Sequence, residues 1–210
     1  MAITTAELVT VLETYADRIH HARDELTRLD SAIGDADHGI NMDRGMTAVR
    51  QALPELRDGS AGDLFKQAGR KLISTVGGAS GPLYGTFFLR VGTALGDAAE
   101  VSPADLARAL RAGVDGVLTL GKANIDDKTM VDVLIPAVEA IENGADTNLD
   151  AALRAAAEAA AAGRDRITPL VARKGRASYL GDRSAGHQDP GATSATILIE
   201  TFRDTLGSAA

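Results

Sequence analysis

Apolar residues recur at three- and four-residue steps through Leu8, Val11, Leu12, Tyr15, Ile19, Ala22, Leu26 and Leu29. That spacing stripes one face of a long helix and cannot serve a strand, whose faces alternate every second residue. Thr4 and Glu7 have the spacing of a capping box at its start, and Gly34 ends the pattern. The same reading predicts a second helix from about Gly39 to Leu53, stopped by Pro54, and a third from near Ser60 to Val76. A fourth runs from Pro82 to about Ala99, and Ser102-Pro103 opens a fifth as a cap followed by first-turn proline. Asp126 or Asp127 is expected to cap a sixth, bent at Pro136. Thr147 or Asn148 caps an alanine-rich seventh, and Asp189-Pro190 opens the last, which ends near Gly207. No segment alternates at period two and no fixed-period repeat is present. A chain of 210 residues, 45% of them hydrophobic, is long enough for one sizeable core. The expectation is an all-α, single-domain structure over residues 1–210, a bundle of about eight helices.

Composition then removes whole classes of function. A net charge of -7 with 3% aromatic residues leaves neither a basic face for a phosphate backbone nor a stacking platform for bases, so nucleic acid is not expected as a partner. The absence of cysteine removes disulfides, thiolate metal sites and a cysteine nucleophile. The start MAITTAELVT has no basic region followed by an apolar run, and no window approaches a membrane span. A cytoplasmic protein without membrane contact is the expectation.

Glycine falls at helix junctions. Gly34 and Gly39 flank an acidic turn, Gly77, Gly78 and Gly81 separate two helices, Gly121 ends another, and Gly186 and Gly191 bracket HQDP. In an up-and-down bundle alternate junctions share one end, so these four loops are expected to converge on one mouth.

Asp30, Asp35, Asp37 and His38 fall within nine residues. Aspartate carboxylates are hard oxygen ligands suited to Mg²⁺, Ca²⁺ or Mn²⁺, although aspartate also serves as an ordinary cap or turn residue. An EF-hand starting at Asp35 fails, because Ile40 stands where glycine is needed and Met46 where the bidentate glutamate belongs. On a continuous helix Asp30 and Asp35 would lie about 140° apart, so a shared ion requires the turn that Gly34 permits. Gly116–Ala123 reads GVLTLGKA, near a P-loop, but Ala123 replaces the Ser/Thr and the preceding segment is helical. GGASGPLYG is the better phosphate cradle: Gly78, Ala79, Ser80 and Gly81 would aim N–H groups and a hydroxyl at an anion ahead of a helix N-terminus. By itself that stretch is equally a flexible turn. In the polar run Gly175–Ser194, Arg176 would balance phosphate charge, and His187 and Asp189 would act as base or ligand; an exposed loop ending in an Asp189 cap is the plainer alternative. His20 and His21 read as surface or partly packed residues.

The stretches IGDADHGINMDRGM, STVGGASGPLYGTFF, GKANIDDKTMVDVL and RKGRASYLGDRSAGHQDPGATS, in that order, resemble the nucleotide-binding L subunits of bacterial dihydroxyacetone kinases of the phosphotransferase-system-dependent type. The resemblance covers most of the chain. It implies a closed barrel of eight antiparallel helices binding ADP or ATP at one end, the phosphates held through two Mg²⁺ by Asp30, Asp35 and Asp37. Nucleotide contacts are implied for His38, Gly39 and Asn41 after the acidic turn, for Ala79 and Ser80, and for Gly121 and Met130. Arg176, Asp189, Pro190 and Gly191 complete the implied set. The implied reaction is phosphoryl transfer to dihydroxyacetone held on a partner K subunit, with ADP recharged in place by a phosphotransferase M subunit. No catalytic acid, base or nucleophile is expected on this chain; the metal ligands act electrostatically. The resemblance leaves open an exchanging ATP substrate, a related small ketose, and a role in binding a transcriptional regulator.

Overall fold

The computed structural model describes residues 2–57 and 59–207; Met1, Asp58 and 208–210, part of the expected 1–210 domain, lie outside the described residues. Eight α-helices account for most of the described residues: α1 (Thr5–Ile33), α2 (His38–Ala52), α3 (Ala61–Thr75), α4 (Ser80–Leu95), α5 (Pro103–Gly121), α6 (Val131–Gly144), α7 (Leu149–Ile167) and α8 (Pro190–Leu206). Each helix packs against the next, and α8 returns to α1, so the contacts run round a closed cycle. Fully buried Tyr15, Phe65, Phe87, Phe88 and Phe202 fill the interior, with Phe65 stacked on Phe88 at 5.8 Å between ring centroids.

Cap chemistry sets where the odd-numbered helices begin. Thr4 and Glu7 form the reciprocal box, and Ser60, Ser102 and Asn148 accept from the backbone N–H of Asp63, Asp105 and Ala151. Each such cap stabilises its helix by about 1 kcal/mol. The strand pair among the described residues, β1 (Ile3–Thr4) with β2 (Glu100–Val101), is an antiparallel ladder of two residues. It is too short to leave a period-two signal.

The α3–α4 pair packs closely. A Cβ on Gly69 would stand 2.7 Å from the Gly85 carbonyl oxygen, and one on Gly85 would stand 2.9 Å from that of Gly69. Backbone therefore meets backbone, which fixes the turn between these helices relative to both.

Three expected boundaries shift. Helix α4 begins at Ser80, two residues before Pro82, because the first-turn N–H that proline lacks has no helical partner anyway; it stops at Leu95, where Gly96 turns to φ +60. Helix α6 begins at Val131 and is not capped by Asp126 or Asp127. Asp126 and Lys128 take left-handed φ of 70 and 64, so that stretch is a folded connection ahead of the helix. Pro136 lies inside α6 as expected. The run after Gly175, read as irregular, holds a 3-10 segment, Arg176–Ser184, broken by a kink at Gly181. A second one, Leu53–Leu56, carries the chain past Pro54.

Candidate functional site

Residues from the connections after α1, α3, α5 and α7 line a single cleft. Odd helices therefore end, and even helices begin, at the same end of the molecule, which is the convergence expected from the glycine pattern.

Asp30 sits buried in the last turn of α1. Gly34 lets the chain fold back over it: a Cβ there would lie 2.0 Å from Asp30 Oδ1. Ala36, at φ +62, completes the reversal. The N–H groups of Asp37 and His38 then donate to Asp30 Oδ2 at 2.8 and 3.1 Å. One carboxylate oxygen from each of Asp30, Asp35 and Asp37 lies within 4.8 Å of the others. At that spacing each pair of charges repels by roughly 3 kcal/mol at an effective dielectric near 20. A hard divalent cation removes that repulsion, and an all-carboxylate donor set suits Mg²⁺, Mn²⁺ or Ca²⁺. Arg176 reaches across from the 3-10 segment to Asp35 at 2.9 Å.

His38 opens α2 and is buried. Its Nδ1 pairs with Ser80 Oγ at 3.0 Å and its Nε2 with Ser194 Oγ at 2.9 Å. Ser194 Oγ donates to the Gly191 carbonyl and also meets Tyr84 Oη at 2.7 Å. Burial pulls the imidazole down to about 4, against the opposing pull of Asp30 and Asp37. The ring is therefore neutral near pH 7 and positions the start of α4. No side chain caps α4, whose N-terminal N–H groups sit at the cleft beside Ser80. Such a terminus favours an anion.

Asp189 caps α8, accepting from Ala192 N–H at 2.7 Å. It keeps some solvent contact in the cleft wall, yet loss of hydration pushes its carboxyl up to about 7 despite the Ala192 bond and nearby Lys128. An acid poised there prefers a cationic or hydrogen-bond-donating ligand beside it.

Of the implied residues, Asp30, Asp35, Asp37 and His38 line the cleft together with Ala79, Ser80 and Met130. Arg176, Asp189, Pro190 and Gly191 complete its wall. Gly121 lines an adjoining, mostly apolar recess that shares Leu83, Met130 and Gly175 with the cleft. Gly39 and Asn41 follow His38 on α2, and Asn41 lies against Gly77 of the cleft wall. A Cβ on Gly39 would strike the Arg23 carbonyl at 2.0 Å, so its role in this fold is to let α2 touch α1. Asn41 is buried and accepts from Arg44 at 2.7 Å. His187 is exposed and off the cleft, as are His20 and His21, the former paired with Asp43 at 2.9 Å.

Lys128, Thr129 and Lys174 also line the cleft and were not legible in the sequence. A lysine in a polar connection reads as solvated, and only the fold shows Lys128 to be 1% exposed. Beside it, Asp132 is fully buried and accepts from the N–H groups of Asp126 and Thr129, and Asp127 accepts from Asn124 N–H at 2.7 Å. Asn124 thus closes a turn onto Asp127, while Ile125 stays exposed.

Comparison with known proteins gives concordant results. The DAK2 domain family model matches residues 32–204. The PEP-dependent dihydroxyacetone kinase ADP-binding subunit DhaL of Escherichia coli (strain K12) is 44% identical over 202 residues, covering 95% of this chain and 96% of that protein. The PTS-dependent dihydroxyacetone kinase ADP-binding subunit DhaL of Lactococcus lactis subsp. lactis is 36% identical, over 93% of this chain and 94% of that protein. The L-erythrulose 1-kinase of Mycolicibacterium smegmatis is 34% identical over 95% of this chain, which spans only 35% of that enzyme. The native crystal structure of the dihydroxyacetone kinase of C. freundii superposes with a TM-score of 0.74 at 26% identity, covering 94% of this chain and 34% of that one.

Proposed function

The chain belongs to the DAK2 domain family of dihydroxyacetone kinase subunits, which are phosphotransferases, and on that premise we propose that it is the ADP/ATP-binding subunit of such a kinase. The observation that carries the reading is the meeting, in one cleft, of three carboxylates with the uncapped N-terminus of α4. Phosphoryl transfer consists mostly of positioning and charge neutralisation, and a nucleotide's phosphates need both. In this reading Asp30, Asp35 and Asp37 hold two Mg²⁺, which supply positive charge to the phosphate oxygens. The N–H groups at Ala79 and Ser80 grip the phosphates from one side and Arg176 from the other. Neutral His38 holds Ser80 in place, and the apolar recess at Gly121 and Met130 takes the base. Asp189, Pro190 and Gly191 close the wall nearest α8. Gly39 and Asn41 support the same turn from behind.

The acceptor is dihydroxyacetone presented by a K subunit, so this chain supplies no nucleophile. Ile40, Ile73, Leu120, Ile125, Val171 and Tyr179 are the large apolar side chains exposed among the described residues, and all stand at the cleft end. Tyr179 is 87% exposed. Such an apolar rim suits docking of a partner around the cleft. The whole-length match to PEP- and PTS-dependent subunits supports recharging of resident ADP by an M subunit; the erythrulose kinases match over a third of their length and keep a related ketose within range. No described helix is long and apolar enough to cross a membrane, and a cytoplasmic location goes with this reading.

Retention of nucleotide is the test. Protein that carries ADP through gel filtration, and accepts a phosphoryl group from the M subunit while bound, supports the coenzyme role. Exchange of ADP with free ATP within seconds assigns the chain to an ATP-dependent kinase instead.

A further inference from the structure

Lys128 is a cation with almost no surface, in a backbone conformation that lysine rarely adopts. Its Nζ donates to three backbone carbonyls, Thr168 at 2.8 Å, Leu170 at 2.9 Å and Ser184 at 2.7 Å. Three acceptors require three N–H donors, so the group is an ammonium; a neutral amine has only two. Those carbonyls lie at the two ends of one segment, 168–184, and that segment carries Lys174 and Arg176 into the cleft wall. Further bonds knit it: Arg173 N–H to the Asp127 carbonyl at 3.0 Å, Ala172 N–H to Ser184 Oγ at 2.9 Å, and Gly186 N–H to the Thr168 carbonyl at 2.9 Å. The segment has little apolar packing: Leu170 rests against the main core, and Ala172 and Ala177 form a small cluster with Ile33, flanked by Leu180. Its shape therefore depends on polar ties, and Lys128 supplies three of them from one atom.

We infer that Lys128 is a positioning residue: its ammonium pins both ends of the 168–184 segment to the start of α6 and so holds Arg176 over the carboxylate cluster. With all three donors engaged on carbonyls, Lys128 does not itself touch the nucleotide. The inference rests on the functional reading above only for the ligand used in its test. Removing the ammonium leaves three buried carbonyls without their donor, which loosens the segment while the eight-helix core remains.

The chain contains no cysteine. K128C can therefore be aminoethylated at that single position in denaturant and refolded, restoring an ammonium on a side chain of nearly lysine's length. The probes are trypsin, which cuts at Arg173, Lys174, Arg176 and Arg183 once the segment opens, and calorimetric titration with Mg·ADP. K128M and unmodified, refolded K128C should be cut there at least ~10-fold faster than wild type and bind Mg·ADP at least ~10-fold more weakly, with helix content retained. Aminoethylated K128C should regain both properties. Because Lys128 acts through Arg176, the K128M/R176A pair should lose less affinity than the product of the two single losses. A K128M that binds Mg·ADP and resists trypsin like wild type, losses that multiply, or an aminoethylated protein no better than its refolded control would each overturn the inference. If no Lys128 variant folds, hydrogen exchange of the wild-type protein without nucleotide decides: the Ala172 and Arg173 amides should be protected, and exchange at open-chain rates rejects the pinning. A wild-type protein that fails to bind Mg·ADP would sink the functional reading alone, since the protease and exchange results still judge Lys128.

Discussion

The two ends of this helical bundle are built on opposite terms. Where the odd helices begin, every one of them has a side-chain cap: Thr4, Ser60, Ser102 and Asn148. Where the even helices begin, only α8 has one, from Asp189; Asp37, Ala79 and Met130 provide none for α2, α4 and α6. All four non-glycine residues with left-handed φ among those described, Ala36, Lys122, Asp126 and Lys128, belong to this second end. So do the clustered carboxylates, the buried lysine and the exposed apolar rim. One end closes its own hydrogen bonds and adds stability. The other holds strain, repulsion and open donors, features that a bound anion and its counter-cations would satisfy.

Mutations should separate the two ends by what they change. The largest effect is expected from Asp35→Asn, which removes one ligand and one repelling charge. Mg·ADP affinity should fall at least ~100-fold, or about 2.7 kcal/mol, with little change in urea unfolding. A variant that keeps wild-type affinity would break the contrast. Next comes Asp189→Asn, where asparagine keeps the cap. The folded carboxyl stands at about 7 against an ordinary value near 3.9, so between these limits the folded state binds more protons than the unfolded one. Stability must then fall as pH rises from about 4 to 7, and the cost persists above it. In EDTA at pH 8 the variant should be more stable than wild type by roughly 2 kcal/mol, about half of what the full shift gives because the carboxyl keeps some solvent contact, with the difference vanishing by pH 4. Urea unfolding at both pH values checks this, and an equal difference at each would refute the buried-charge explanation.

Smaller effects belong to the other end and to the rim. Ser102→Ala should lower unfolding free energy by about 1 kcal/mol and leave Mg·ADP affinity untouched; altered affinity would mean that the ends are coupled. Tyr179→Ser should move stability by no more than about 0.5 kcal/mol while weakening capture of the K subunit, measured by surface-immobilised binding.

The same division explains what the sequence made legible. Caps are local chemistry, so Thr4 and the start near Ser60 were readable from residues three positions on, Ser102 and Asp189 from the proline that follows each, and Asn148 as one of two candidates with Thr147. The acid turn was readable because Gly34 both breaks the helical stripe and admits the Asp30 carboxylate beside it. The connection 122–130 was not, because its order depends on three left-handed residues and on a lysine whose partners lie 40 or more positions downstream. The 3-10 segment after Gly175 was hidden for the same reason. Its polar residues read as solvated until Lys128 and Ser184 tie its ends. Gly39 carries a second demand that its neighbours in sequence do not show: α1 approaches it so closely that no side chain fits.

The central claim is that the carboxylates of Asp30, Asp35 and Asp37 hold a nucleotide only through divalent cations. Calorimetric titration of the wild-type protein with ADP, in Mg²⁺ and in EDTA, tests it most directly. Saturable binding in Mg²⁺ that falls at least ~100-fold in EDTA is the result expected. Equal affinity in both, or no binding in either, would contradict the account.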